Sequence, residues 1–161
     1  MALNLAQQAL SAHNQDAFWG FIQTVLTASG NIAKALWGQG GKLAAEREPL
    51  RRSLGVTDAS ALASVDLRNH LEHFDERLDR WYRTSSNHNH ADFIIGPAER
   101  TIVGIAPGDV FRHFDPETGE VIFWGEHYSL TALRDALITL LPVVAAEARK
   151  PHWEAPPKPQ A

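Results

Sequence analysis

The feature that most constrains the fold is a long run of regularly spaced apolar residues near the start of the chain. Between Asp16 and Trp37, apolar side chains recur at alternating steps of four and three residues. They are Phe18, Ile22, Val25, Ile32 and Leu36, and Ser29 occupies the one remaining position of the series. This spacing puts them on one face of an α-helix. Glycines follow at 38, 40 and 41, as they commonly do after a helix end. The sequence therefore predicts a long amphipathic helix over 16–37.

A second helical pattern covers Asp66 to Arg83. On a helical wheel with Arg68 at zero, the apolar side chains of this segment fall within an arc of roughly 220° to 320°. They are Leu67, Leu71, Phe74, Leu78, Trp81 and Tyr82. This arc is predicted to face the core, and every charged, amide or imidazole side chain from Arg68 to Arg83 lies outside it. The polar face contains no lysine and includes asparagine and histidine, which are weaker helix formers. Its composition indicates a requirement other than helix stability.

The region between these helices and the last one contains short β-prone runs. The predicted strands are Phe93–Ile95, Thr101–Ile105, Val110–Phe114 and Val121–Trp124, and Asp115–Gly119 is predicted to be a hairpin loop. Helical spacing returns from Ser129 to Arg149, where Pro142 is expected to kink or break the helix. A shorter helix is predicted over Leu43–Leu54, which contains Pro49.

Together these patterns predict a mainly α fold. We expect a bundle of about four main helices, with a small antiparallel β-sheet inserted before the last helix. Residues 1–150 are predicted to form a single domain, with residues of about 91–125 as the β-rich insertion. The tail, 151–161, is Pro-rich and is predicted to be extended or disordered.

Composition excludes several classes of function. The chain has no cysteine, so thiol catalysis, cysteine-type zinc sites and disulfide frameworks are excluded. A net charge of −4 argues against a broad nucleic-acid-binding surface, so any contact with RNA or DNA must be local. We found no signal peptide pattern and no apolar run long enough to cross a membrane. The expected location is cytoplasmic, with no membrane partner.

The segment "RNHLEH", Arg68 to His73, carries a resemblance to a known family. It resembles the R-x-x-x-x-H motif, with a polar residue directly after the arginine, that marks the HEPN superfamily of helical ribonucleases and related toxins. The wider runs "DAFWGFIQTVLTASGNIAKALW" and "LRNHLEHFDERLDRW" are also similar to a group of bacterial proteins of unassigned function. The resemblance covers about Asp16–Arg83 and Ser129–Arg149.

This resemblance implies metal-independent RNA cleavage, in which the ribose 2′-hydroxyl attacks the adjacent phosphate and a cyclic phosphate is left. His73 would transfer the proton, Arg68 would stabilise the phosphorane, and Asn69 would orient His73 or contact the phosphate. The resemblance also implies a homodimer in which two motifs meet at the axis, with RNA as the substrate. It implies no cofactor and no metal.

Two other interpretations of the same face stay open. His70, His73 and Glu76 are spaced as an H-x-x-H-x-x-E ladder that could bind a metal. Alternatively, Arg68 and His73 are held in ion pairs with Glu72, Asp75 or Glu76, and the chain is a non-catalytic binding or regulatory module, antitoxin-like, with a regulatory protein partner. In the ribonuclease interpretation His70, Glu72 and Glu76 are supporting residues.

Overall fold

A computed structural model describes residues 1–150 of the protein as a mainly helical fold with a small mixed sheet before the last helix. The helices are α1 (Ala2–Ser11), α2 (Gln15–Trp37), α3 (Gly41–Glu46), α4 (Glu48–Ser53), α5 (Asp66–Glu72), α6 (Phe74–Thr84), α7 (Ala98–Thr101) and α8 (Leu130–Glu147). The strands are β1 (Ile94–Ile95), β2 (His113–Asp115), β3 (Glu120–Phe123) and β4 (Glu126–Ser129), and a 3₁₀ turn covers Pro107–Asp109. The predicted Pro-rich tail lies outside the described residues.

Helix α2 runs along the core and confirms the predicted amphipathic helix. Asn14 begins it, because its side-chain oxygen accepts a hydrogen bond from the backbone N–H of Ala17 at 3.0 Å. Gly38 ends it with φ +65°, a conformation that favours glycine. The buried face carries the predicted stripe and packs against α1, which the sequence patterns did not predict, and against α5.

The sheet has the order β1-β2-β3-β4, and its strand β3 contacts α8. Strands β2, β3 and β4 are antiparallel, but β1 pairs with β2 in parallel, so the prediction of a purely antiparallel sheet was wrong. The predicted loop at Asp115–Gly119 does join β2 to β3. Thr101–Ile105 forms no strand, whereas β4 was missed because its short sequence, "EHYS", is polar and mostly exposed.

The predicted helix over residues 66–83 is two helices that join at His73. The backbone of His73 has φ −109° and ψ 38°, outside the helical region. Phe74, the next residue, packs against Phe111 and Phe123 with ring centroids at 5.3 and 6.4 Å. Because Phe111 and Phe123 lie far along the chain, local helical periodicity could not indicate the break. The apolar face predicted for this segment is also only partly buried, since Leu78 and Tyr82 are exposed.

Proline has different effects in two other helices. The predicted helix over 43–54 is split into α3 and α4, and Pro49 lies in the first turn of α4, where its missing N–H costs no helical hydrogen bond. In contrast, α8 continues through Pro142, so the predicted break there does not occur. None of the described helices is both long and apolar enough to cross a membrane.

Candidate functional site: the polar face of α5 and α6

Arg68 is turned toward α2 and is largely buried. Its Nη2 donates to the side-chain oxygen of Asn69 at 2.8 Å and lies 3.3 Å from Oε2 of Glu72. Its side chain is only 12% exposed. Opposite it, Gly30 leaves the room that the arginine fills, since a Cβ at Gly30 would lie 2.3 Å from Arg68 Cδ. A mid-helix glycine costs about 1 kcal/mol relative to alanine, so this close approach gives the glycine a structural reason.

Asn69 does not hold the ring of His73. Its side-chain oxygen accepts from Arg68, and its backbone oxygen accepts from the backbone N–H of His73 at 3.0 Å. The resemblance implied that Asn69 would orient His73, but its side-chain oxygen is hydrogen-bonded to Arg68 instead. Asn69 therefore positions Arg68.

His73 faces solvent at the junction of α5 and α6. Its side chain is 53% exposed, and Nδ1 lies 3.4 Å from Oε1 of Glu76. Among residues 1–150, no hydrogen bond or ion pair joins the side chains of His73 and Arg68. The two ends of the R-x-x-x-x-H pattern thus have separate partners within one chain.

His70 belongs to a different cluster, between α5 and the β3–β4 hairpin. Its ring stacks on Phe123 with centroids 4.8 Å apart and planes inclined by 12°. Arg77 Nε donates to His70 Nδ1 at 3.1 Å, so this nitrogen must be unprotonated. Nε2 then carries the proton of the neutral ring and faces Oε2 of Glu126 at 3.5 Å. The same carboxylate accepts from the hydroxyl of Tyr128.

These contacts change the proton affinities of the hairpin residues. The pKa of Glu126 is lowered, first by the hydrogen bond from the Tyr128 hydroxyl and then by His70, with some opposition from burial. The pKa of Tyr128 is raised, mainly by burial and further by the neighbouring carboxylate of Glu126. Sequence reasoning missed Arg77, Glu126 and Tyr128 as partners of His70, because two of them lie on a strand more than fifty residues further along the chain.

The predicted metal ladder does not form. His70 is directed to Arg77 and Glu126, whereas His73 is paired with Glu76 across the helix junction. Within residues 1–150, no three histidine or acidic side chains converge in a way that could hold a metal ion. The ladder required a continuous helix, and His73 interrupts it.

Comparison with protein-family models, with curated proteins and with solved structures gives no match. Function must therefore be argued from the site itself. In this site each basic side chain has an acidic neighbour. Glu72 faces Arg68, Glu76 faces His73, and Arg77 also lies 3.9 Å from Glu76. Such an arrangement fixes side chains in place more readily than it presents a free cation to a phosphate.

Proposed function

We propose that this chain is a non-catalytic binding module, HEPN-like and regulatory, rather than a nuclease. The observation that carries the proposal is the environment of Arg68. A phosphate-stabilising arginine must present its donors to the substrate, but this guanidinium is largely buried, contacts Asn69 and Glu72, and fills the space beside Gly30. In the proposed role Arg68 fastens α5 to α2, and the surface of α5 and α6 meets a regulatory protein partner.

The first test separates a structural arginine from a catalytic one. Replacing Arg68 with alanine removes packed methylenes and two polar contacts, so we expect the free energy of unfolding to fall by about 1–3 kcal/mol. The cost stays below that of breaking a fully buried pair, because Glu72 is 43% exposed and can be solvated. Urea denaturation measures the change. Unchanged stability combined with lost RNA cleavage would contradict the structural role.

Ribonuclease activity is the second candidate, and one observation favours it. Glu76 lies beside Nδ1 of the half-exposed His73, an arrangement that orients an imidazole for proton transfer. Among residues 1–150, Nε2 of His73 takes part in no hydrogen bond or ion pair. In this candidate a homodimer brings two copies of the motif together on RNA. A cation for the phosphate is still needed, since Arg68 is occupied in each copy.

An RNA cleavage assay decides between the two. If the chain is a binding module, the wild type yields no cyclic-phosphate ends from mixed RNAs. If it is a nuclease, His73→Ala lowers cleavage by about 10²- to 10⁴-fold, and EDTA has no effect. His127→Ala is the matched control, since His127 is 55% exposed and also lies beside a glutamate, Glu120. Equal losses in both variants would mark a nonspecific effect on the fold.

A further inference from the structure

A groove lined mainly by aromatic and aliphatic side chains lies between α6 and the segment that follows this helix. Its residues are Phe74, Leu78, Asp79, Trp81, Tyr82 and His90. Leu78 and Tyr82 are 37% and 68% exposed, and Trp81 is partly buried. The groove therefore presents apolar groups to solvent beside a single carboxylate, and grouped apolar side chains at a surface mark interaction sites more often than scattered ones do.

The rings of the groove are held in place from the core side. Trp81 Nε1 donates to the buried carboxylate of Asp109 at 2.7 Å, and Ser85 Oγ donates to the same oxygen at 2.6 Å. The ring of His90 lies 5.3 Å from the ring of Trp81 and 4.6 Å from that of Phe111, centroid to centroid. Because these rings are already fixed, a bound segment does not have to order them.

The polar groups of the groove are free to bind a ligand. Within residues 1–150, the carboxylate of Asp79 takes part in no hydrogen bond or ion pair, although Arg83 lies one turn further along α6. The hydroxyl of Tyr82 and the ring nitrogens of His90 also have no hydrogen-bond partner among these residues. No arginine or lysine lines the groove. A matching ligand therefore combines apolar rings, carbonyl acceptors and a positive charge.

The chain itself contains a segment with this combination. Residues 151–161, "PHWEAPPKPQA", follow the described part of the chain and include two prolines, a lysine and a third proline at 156–159. Segments with the P-x-x-P pattern bind aromatic-lined grooves, because their backbone is already restricted and their carbonyl groups are free to accept hydrogen bonds.

We propose that the Pro-rich segment 156–159 docks in the α6 groove of its own chain. In this arrangement its proline rings pack against Trp81 and Tyr82, and Lys158 pairs with Asp79. A polyproline helix has three residues per turn, so Pro156 and Pro159 lie on one side of the segment and the lysine on another. The proposal goes beyond the function proposed above and does not depend on it.

The length of chain after Lys150 is sufficient for this contact. A fully extended chain spans ~3.3–3.6 Å per residue, so residues 151–158 reach up to about 26–29 Å from Lys150. A domain of about 150 residues has a radius of gyration of only about 15 Å. The segment therefore reaches most of the surface of its own chain, and its covalent link gives it a high effective concentration there.

Paramagnetic NMR on the full chain tests the docking. The chain has no cysteine, so Ala161→Cys provides a single site for a nitroxide label at the end of the segment. We expect the label to broaden the amide signals of Leu78, Tyr82 and His90. If the broadened amides lie elsewhere and these three stay sharp, the proposal fails.

The prolines provide a control with the same label and the same tether length. Pro156→Ala combined with Pro159→Ala should lower the bound-to-free ratio of the segment about four- to thirtyfold, because each proline restricts the free segment. Broadening at the groove should fall accordingly. Equal broadening with and without the two prolines would show that the tether alone brings the label to α6, and would overturn the proposal.

An exchange of charges tests the ion pair. Asp79→Lys and Lys158→Glu should each lower the bound-to-free ratio about two- to fivefold, as expected for an exposed ion pair. The double variant should restore most of the broadening, because both charges are present in reversed positions. Asp75→Lys is the matched control, since Asp75 is exposed on the same helix and does not line the groove. Losses that add in the double variant would contradict the pairing.

A mixed sample separates docking within one chain from docking between two chains. When ¹⁵N-labelled chain without the nitroxide is mixed with unlabelled chain that carries it, the groove amides should stay sharp. Broadening in this mixture as strong as in the labelled chain itself would assign the segment to a second copy and overturn docking within one chain. Neither result changes the outcome of the RNA cleavage assay, so this proposal and the proposed function fail separately.

Discussion

At the scale of single residues, the described chain uses buried charge to fix loops and helices in place. Asp115 shows this most clearly, since it is buried at the end of β2. Its Oδ2 accepts from the backbone N–H of Ala98 at 2.9 Å, and its Oδ1 accepts from the N–H of Glu117 at 2.8 Å. The hydrogen bond from Ala98 is the main cause that lowers the pKa of Asp115 below 3.8. One carboxylate thus ties α7 to the β2–β3 loop.

Asp115→Asn should destabilise the fold by about 1–3 kcal/mol at neutral pH, because the amide keeps one acceptor oxygen and turns N–H toward a backbone donor. A lowered folded pKa gives stability that is full above the ordinary value and is lost as pH falls through the folded value. The difference from wild type should therefore shrink below pH 3.8. Chemical denaturation from pH 7 to pH 2 measures it.

The control for this prediction is Asp79→Asn, which removes the same charge from an exposed position on α6. Its effect should stay within about 0.5 kcal/mol. If both variants lose stability equally, net charge rather than the hydrogen bonds of Asp115 is responsible.

At the scale of elements, the turn between β3 and β4 positions the partners of His70. Phe123 pairs with Glu126 across a two-residue turn, and both turn residues have positive φ: 55° at Trp124 and 78° at Gly125. This is the geometry of a type I′ hairpin, whose twist suits antiparallel strands. The turn thereby aligns Glu126 with the ring of His70.

Gly125→Ala should destabilise the fold by about 1–2 kcal/mol, because an L-residue is strained at this φ. The added Cβ would also lie 3.0 Å from the Cβ of Pro107. Gly108→Ala is the matched control, since it lies in the neighbouring 3₁₀ turn, has no left-handed φ and has nothing within 4 Å of its Cβ. Urea midpoints compare the two, and equal midpoints would show that the turn tolerates alanine.

Elements with local signals could be predicted from sequence, and those set by distant contacts could not. The stripe of α2 repeats over about five turns, so its helix was predicted almost to the residue. Directly after the break at His73, Phe74 packs against Phe111 and Phe123, which no sequence window over 66–83 contains. The same holds for the site. The ion pairs of Arg68 and His73 with nearby glutamates were predicted as one alternative. The packing of Gly30 against Arg68 and the contacts of Glu126 and Tyr128 with His70 were not predicted.

At the scale of the whole molecule, the described surface has an apolar stripe on the second half of α8. Residues 136–146 carry no charged side chain, and Ile138, Leu141 and Val144 are exposed on that half. A two-fold axis places a surface against its own copy, so a charged surface there would meet like charges. An uncharged stripe meets no such penalty, so this surface is suited to an interface between two copies of the chain.

We therefore expect a homodimer at tens of micromolar protein, and we expect Leu141→Glu to make it monomeric. Leu141 is 69% exposed in the single chain, so the substitution should leave the fold intact while placing two like charges close together in the dimer. Gln23→Glu, at an exposed position on α2, adds the same charge elsewhere and should leave the dimer unchanged. Sedimentation velocity measures both variants. A monomeric wild type would contradict the expected homodimer and also the composite site that the nuclease candidate needs. A dimer that persists in Leu141→Glu would place the interface away from α8.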